Sequence, residues 1–112
     1  MVIYNKGLSR ESSTDEGKKI FSLTSTAEEK IKVRRILIAD VLSNSVYIDI
    51  WIGRDRIGEN IPFEPILDAT PERVIDIDAE IPEGVEFSII IKPQYSGSQG
   101  SVRGWVEYEI IG

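Results

Sequence analysis

Ser45-Val-Tyr-Ile-Asp-Ile-Trp-Ile52 alternates with a period of two. That period puts Val46, Ile48, Ile50 and Ile52 on one face of a strand and Tyr47, Asp49 and Trp51 on the other. The same pattern recurs in Val85-Glu-Phe-Ser-Ile-Ile-Ile91 and in Val102-Arg-Gly-Trp-Val-Glu-Tyr-Glu-Ile110. In the last stretch Arg103, Trp105, Glu107 and Glu109 oppose Val102, Val106, Tyr108 and Ile110. One face of each strand therefore belongs in a core, and the other meets solvent or a partner.

Composition supports strands throughout. Isoleucine occurs 19 times in 112 residues, against 5 Leu and 4 Ala, which favours pleated surfaces over helices. The length suits one domain, residues 1–112, with room for a single core. There is no His and no Cys, so the commonest general base, the commonest transition-metal ligand and the thiol nucleophile are all missing. A net charge of -6 disfavours nucleic acid and anionic membrane as partners, since both need local basic surface. No apolar run approaches the length of a spanning helix, and the first residues lack a signal-peptide core. The expectation is a soluble protein made in the cytoplasm. Few Asn and Gln, no Cys, one Met and abundant Glu and Ile give a thermophile-like composition. An AT-rich genome would enrich Ile equally.

Along the chain, Val2-Ile-Tyr4 forms a short first strand, and residues 7–19 read as a mobile arm or loop. Ile20–Thr24 is the next strand. Thr26 followed by Glu29 matches a helix capping box. The β-branched density of Ile31-Lys-Val-Arg-Arg-Ile-Leu-Ile instead favours a strand with a bulge or face switch near Arg34-Arg35. Leu42–Ser45 is a turn into the Val46–Ile52 strand, and Gly53–Gly58 is a second turn. Glu59–Thr70, with Pro62 and Pro65, reads as a packed crossover loop. Glu72–Ile81 is a strand, Pro82-Glu-Gly84 turns into Val85–Ile91, and Pro93–Ser101 is a hairpin loop before the last strand. About seven to eight strands at near-regular spacing predict an all-β fold: an antiparallel β-sandwich of jelly-roll type.

Four stretches carry a resemblance. They are Thr24–Asp40, a turn and a Lys/Arg/Ile-rich strand; Val46–Gly53, a strand closing on Gly; Ile81-Pro-Glu-Gly-Val-Glu-Phe87; and the closing Ser101–Ile110. Together they resemble small β-sandwich (jelly-roll) structural modules of bacteriophage and viral virion proteins, over roughly residues 20–111. None of the four is a chemical motif. The resemblance implies a decoration, fibre or tail-type component, a homo-oligomer with a trimer favoured, other virion proteins as partners, and a place in the virion. It brings no catalytic residues.

Two strands that each put a Trp among charged residues on the non-core face suggest a platform of Tyr47, Asp49, Trp51, Arg103, Trp105 and Glu107. Such residues suit a protein interface, where Trp, Tyr and Arg concentrate binding energy. They also suit a glycan, whose apolar faces stack on Trp while its hydroxyls meet Asp and Arg. The competing reading places the Trp rings in the core. Asp76, Asp78 and Glu80 share one strand face and are weak Ca²⁺ candidates, although no compact calcium loop surrounds them. An ordinary acidic face explains them as well, so no metal and no cofactor are expected.

The Gly53–Gly58 turn carries Arg54 and Arg56 around Asp55, a pattern for anions or for a solvated tip. Arg34 or Arg35 at the face switch has the same readings, or pairs with Asp40, Asp49 or Glu107 within the sheet. Catalysis has little support. No nucleophile elbow or phosphate loop appears, and a glycosidase pair such as Asp49 with Glu107 would need a deep cleft. The expectation is a non-enzymatic structural or assembly module that associates with itself. The apolar excess argues for it: Ile36 and Ile38 stand against Val33 and Leu37, and Ile89, Ile90 and Ile91 run consecutively. The alternative is a carbohydrate- or other ligand-binding module using an exposed aromatic face.

Overall fold

A computed structural model describes residues 2–7, 18–42, 45–63, 73–94 and 101–111. The protein is all-β, with eight strands among the described residues: β1 (Val2–Gly7), β2 (Lys18–Thr24), β3 (Ile31–Leu42), β4 (Val46–Ile52), β5 (Asp55–Phe63), β6 (Arg73–Ile81), β7 (Glu86–Pro93) and β8 (Ser101–Ile110). They form two four-stranded antiparallel sheets compatible with a β-sandwich, in the orders β1-β8-β3-β6 (the first sheet) and β2-β7-β4-β5 (the second). The pairings are nested: β4 with β5, β3 with β6, β2 with β7 and β1 with β8. Only β4 and β5 are consecutive strands within one sheet, so every other connection crosses between sheets. The Pro93–Ser101 loop therefore links two sheets and closes no hairpin.

Alternation delivers the core. Val33, Ile36, Val102 and Val106 of the first sheet face Val46, Ile48, Phe87 and Ile89 of the second, all essentially inaccessible. Each such burial contributes about 1.5–3 kcal/mol before entropy is counted. Val33 and Ile36 both point inward although three positions apart, because the register of β3 shifts between Val33 and Arg35 against both neighbours. The bulge expected at Arg34-Arg35 is there. It also widens across the sheet. Between the matched positions, β8 has no extra residue, β3 has Arg34, and β6 has Ile77 and Asp78. Asp78 takes up the added length with φ of 50°, a left-handed conformation that Asp tolerates better than most residues.

Ile31–Leu42 forms the strand that the β-branched density favours, while the bounds of a turn, a loop and the arm are corrected. The capping-box signal makes no helix: the Glu29 amide donates to Thr26 Oγ1 (3.0 Å) and the Thr26 amide donates to the Glu29 carbonyl (3.0 Å), closing a tight turn ahead of β3. The turn after β4 is shorter than Gly53–Gly58, because β5 starts at Asp55. The supposed crossover loop begins as strand, through Phe63. Pro62 fits there because β5 is an edge strand and need not donate on its outer side. The expected arm loses both ends, with Gly7 in β1 and Lys18 and Lys19 in β2; residues 8–17 lie outside the described residues. Residues 64–72 and 95–100 lie outside them too.

The end of the sandwich that carries the β2–β3, β4–β5 and β6–β7 turns is tied together by backbone hydrogen bonds. Gly53 donates to the Glu86 carbonyl (2.7 Å), Gly84 to Ser25 (2.8 Å) and Ile111 to Lys30 (2.8 Å). The buried Ser25 hydroxyl accepts from the Ile31 amide (3.0 Å). No helix among the described residues is long and apolar enough to cross a membrane.

Candidate functional site: two outer faces

The six platform residues do lie on outward-facing positions, but they do not form one platform. Tyr47, Asp49 and Trp51 belong to β4 in the second sheet, and Arg103, Trp105 and Glu107 belong to β8 in the first. Alternation turns both sets away from the core, onto opposite outer faces of the sandwich. The notional glycosidase pair Asp49 and Glu107 is separated in the same way and cannot share a cleft. Both Trp residues are half-buried, between the core and the exposed readings of the sequence.

On the outer face of the second sheet, register brings Trp51 beside Ser88 and Arg56, Asp49 beside Ile90, and Tyr47 beside Lys92 and Pro62. Asp49 is only 5 % exposed, and Lys92 Nζ reaches its Oδ2 at 2.9 Å. The carboxylate is thus held by a cation across the β4–β7 ladder. The Arg56 guanidinium lies 4.7 Å over the Trp51 ring, while its Nη1 meets Glu59 Oε1 at 2.8 Å. Cation–π contact of this exposed kind contributes about 0.5–1 kcal/mol. It also occupies a ring face that a sugar would stack on. Trp51 Nε1 is buried and donates to nothing among the described residues.

The outer face of the first sheet is ordered in rows across the strands. Trp105 of β8 is level with Leu37 of β3, which is level with Val74 of edge strand β6. On the β1 side, Trp105 is level with Gly7. Val74 is 48 % exposed. This apolar row was not legible as a unit in the sequence. Leu37 looked like surplus core, and Val74 is one apolar residue on an otherwise acidic strand face.

The next row is charged: Glu107, Arg35 and Asp76, with Arg35 Nε 2.6 Å from Glu107 Oε2. The row after it holds Glu109, Lys32 and Glu80. Lys32 Nζ pairs with Asp78 Oδ1 at 3.2 Å, and Arg34 Nη1 stands 3.9 Å from Glu109 Oε2. Glu109 is 4 % exposed, and that oxygen accepts no hydrogen bond from the described residues. A shallow depression of about 250 Å³ is lined by Arg34, Arg35, Asp76 and Asp78, so both charge signs meet in it.

Asp76, Asp78 and Glu80 all face outward and are exposed. Among the described residues no three acidic side chains gather closely enough to hold a metal ion. The apolar excess is smaller than the sequence implied. Val33, Ile36 and Ile38 all enter the core because of the bulge, and Ile89 and Ile91 of β7 enter it by plain alternation, leaving Leu37 and Ile90 outside. A second open depression, of about 340 Å³, lies at the turn end between Lys30, Pro82 and Ile111. The chain matches no family model, no curated protein and no solved structure.

Proposed function

We propose that this chain is a non-enzymatic assembly module, a jelly roll that builds a larger structure from copies of itself. Decoration, fibre and tail-type components of virions are modules of this kind. The nested strand pairing supports the topology: one long antiparallel ribbon, wrapped over so that alternate pairs fall into opposite sheets, is the construction of a jelly roll. The observation that carries the functional reading is the Trp105–Leu37–Val74 row, an apolar band across the outer face of the first sheet that ends at an exposed edge. Aromatic and aliphatic side chains bracketed by charges are the composition of a binding surface with a desolvated centre and a polar rim.

The glycan-binding alternative would use Trp51 or Trp105, which lie in opposite sheets, and Arg56 over the Trp51 ring weighs against the first of them. The test is a charged substitution on each face. Val74→Asp lowers the native mass, while Ile90→Asp on the other face leaves it unchanged. A native mass of one chain in the unmodified protein, together with a tryptophan emission shift on adding oligosaccharides, would favour the ligand-binding module.

A further inference from the structure

We infer that the outer face of the first sheet is a two-fold contact with a second copy of this chain, about an axis that runs along Trp105, Leu37 and Val74. The inference rests on the self-association reading and adds to it the surface, the symmetry and the charge pairs.

Edge-to-edge growth is disfavoured where the described edges can be read. A second β6 laid antiparallel to the first would bring Asp76, Asp78 and Glu80 against the same acids, across a strand already irregular at Asp78. Edge strand β5 carries Pro62 and two register shifts against β4. Both are devices that blunt an edge. Edge strand β2 carries Lys18 and Lys19 and a register shift against β7, and edge strand β1 is only six residues long, so both are blunted as well. A face is then the broader contact, and the two faces differ. No outward row of the second sheet is wholly apolar: Pro62–Tyr47–Lys92, Asp49–Ile90–Lys19 and Arg56–Trp51–Ser88–Ser22 are mixed, and Glu86–Thr24 is polar. In the first sheet the Trp105–Leu37–Val74 row is wholly apolar.

Charge complementarity selects the second copy as the occupant. Arg103 and Glu107 stand two positions before and two after Trp105 on the same face of β8, each about 7 Å along the strand from the row. Turning a second copy over about the row reverses the strand direction and keeps each row residue on its own counterpart. Trp105 meets Trp105, Leu37 meets Leu37 and Val74 meets Val74. Each Arg103 then faces the Glu107 of the other copy, twice by symmetry, as an isologous contact requires. Glu107 already lies 2.6 Å from Arg35, so its carboxylate is held in place for a second cation. Strands of 6, 10, 12 and 9 residues, at about 3.4 Å per residue and about 4.8 Å apart, offer roughly 600 Å² of face, below the ~800 Å² per partner of standard interfaces. The contact is therefore concentration-dependent.

Charge swaps read by light scattering behind a sizing column test this. Arg103→Glu and Glu107→Lys each place like charges across the axis, and each weakens association at least tenfold. An equimolar mixture of the two variants associates again, because every facing pair in the mixed dimer is then opposite. The double variant R103E/E107K associates by itself.

Glu107→Lys also removes the partner of Arg35, and Arg103→Glu sets a carboxylate level with Asp40 in the same sheet, so a second pair avoids both sites. Val74→Glu and Val74→Lys, on the axis at an exposed edge, are each monomeric alone and pair when mixed. Variants that keep the wild-type mass, or monomeric variants whose mixtures do not recover it, overturn the inference. So does a wild-type assembly with an odd number of copies, such as the trimer the virion resemblance implies. In those cases self-association stands and only this contact fails. A wild-type protein that stays monomeric overturns both.

Discussion

Gly104 of β8 packs so closely against Leu37 of β3 that a β-carbon on it would run into the Leu37 carbonyl oxygen. The obstacle is backbone, on a central strand pair, so it cannot swing aside. Gly104→Ala is therefore expected to cost at least about 3 kcal/mol, the upper end for overpacked sites. Gly84→Ala is the contrast: its φ is +78° but nothing lies within 4 Å of the added carbon, so only backbone strain of about 1 kcal/mol is expected. Urea midpoints of the two variants separate a steric cost from a conformational one.

Asp78 holds φ of 50° where β6 bulges, and its side chain is 77 % exposed beside Lys32. Asp78→Gly relieves the backbone and gives up an exposed ion pair worth a few tenths of a kcal/mol, so stability stays within about 0.5 kcal/mol of the parent. Asp78→Val puts a β-branched side chain in the left-handed region and costs about 2 kcal/mol. Equal midpoints for the two variants would remove the bulge from the account.

Asp49 sits on an outward-facing position yet is almost inaccessible, with Lys92 Nζ at 2.9 Å. Lys92→Met deprives a buried carboxylate of this cation and is expected to cost about 2 kcal/mol, discounted from the fully buried case because the lysine is partly exposed. Adding Asp49→Asn should recover most of that loss. The coupling measured in the double-mutant cycle checks it; additive losses would mean that the pair contributes nothing as a pair.

With Arg56 over the Trp51 ring, oligosaccharides should leave tryptophan emission unmoved. Arg56→Ala should shift the emission by uncovering the indole. A sugar-dependent shift in the parent protein would revive the glycan reading, and its loss in Trp51→Phe or in Trp105→Phe would say which sheet carries it.

Local alternation made much of the molecule legible. Tyr47, Asp49, Trp51, Arg103, Trp105 and Glu107 all stand on the outward positions that period two assigns them, and Val33 followed by Ile36 marked the bulge. Pairing of distant strands was not legible, because nothing local in β4 or β8 states which sheet it joins. A single platform of two Trp residues was the cost of that blindness. Strand β5 was hidden by Gly58 and Pro62, residues that an edge strand tolerates and a central one does not. Thr26 and Glu29 satisfied a helix-cap pattern that a tight turn uses with the same hydrogen bond. The apolar row joins residues from three strands that lie far apart in the chain. Only the register of β6, β3 and β8 brings Val74, Leu37 and Trp105 level.

The most direct test of the central claim is the native mass of the unmodified protein, followed by light scattering over a wide range of concentration. Self-assembly predicts a mass that rises with concentration to a whole multiple of the 12.6 kDa chain, an even multiple if the two-fold contact is right. A mass that stays at 12.6 kDa throughout would contradict the assembly function.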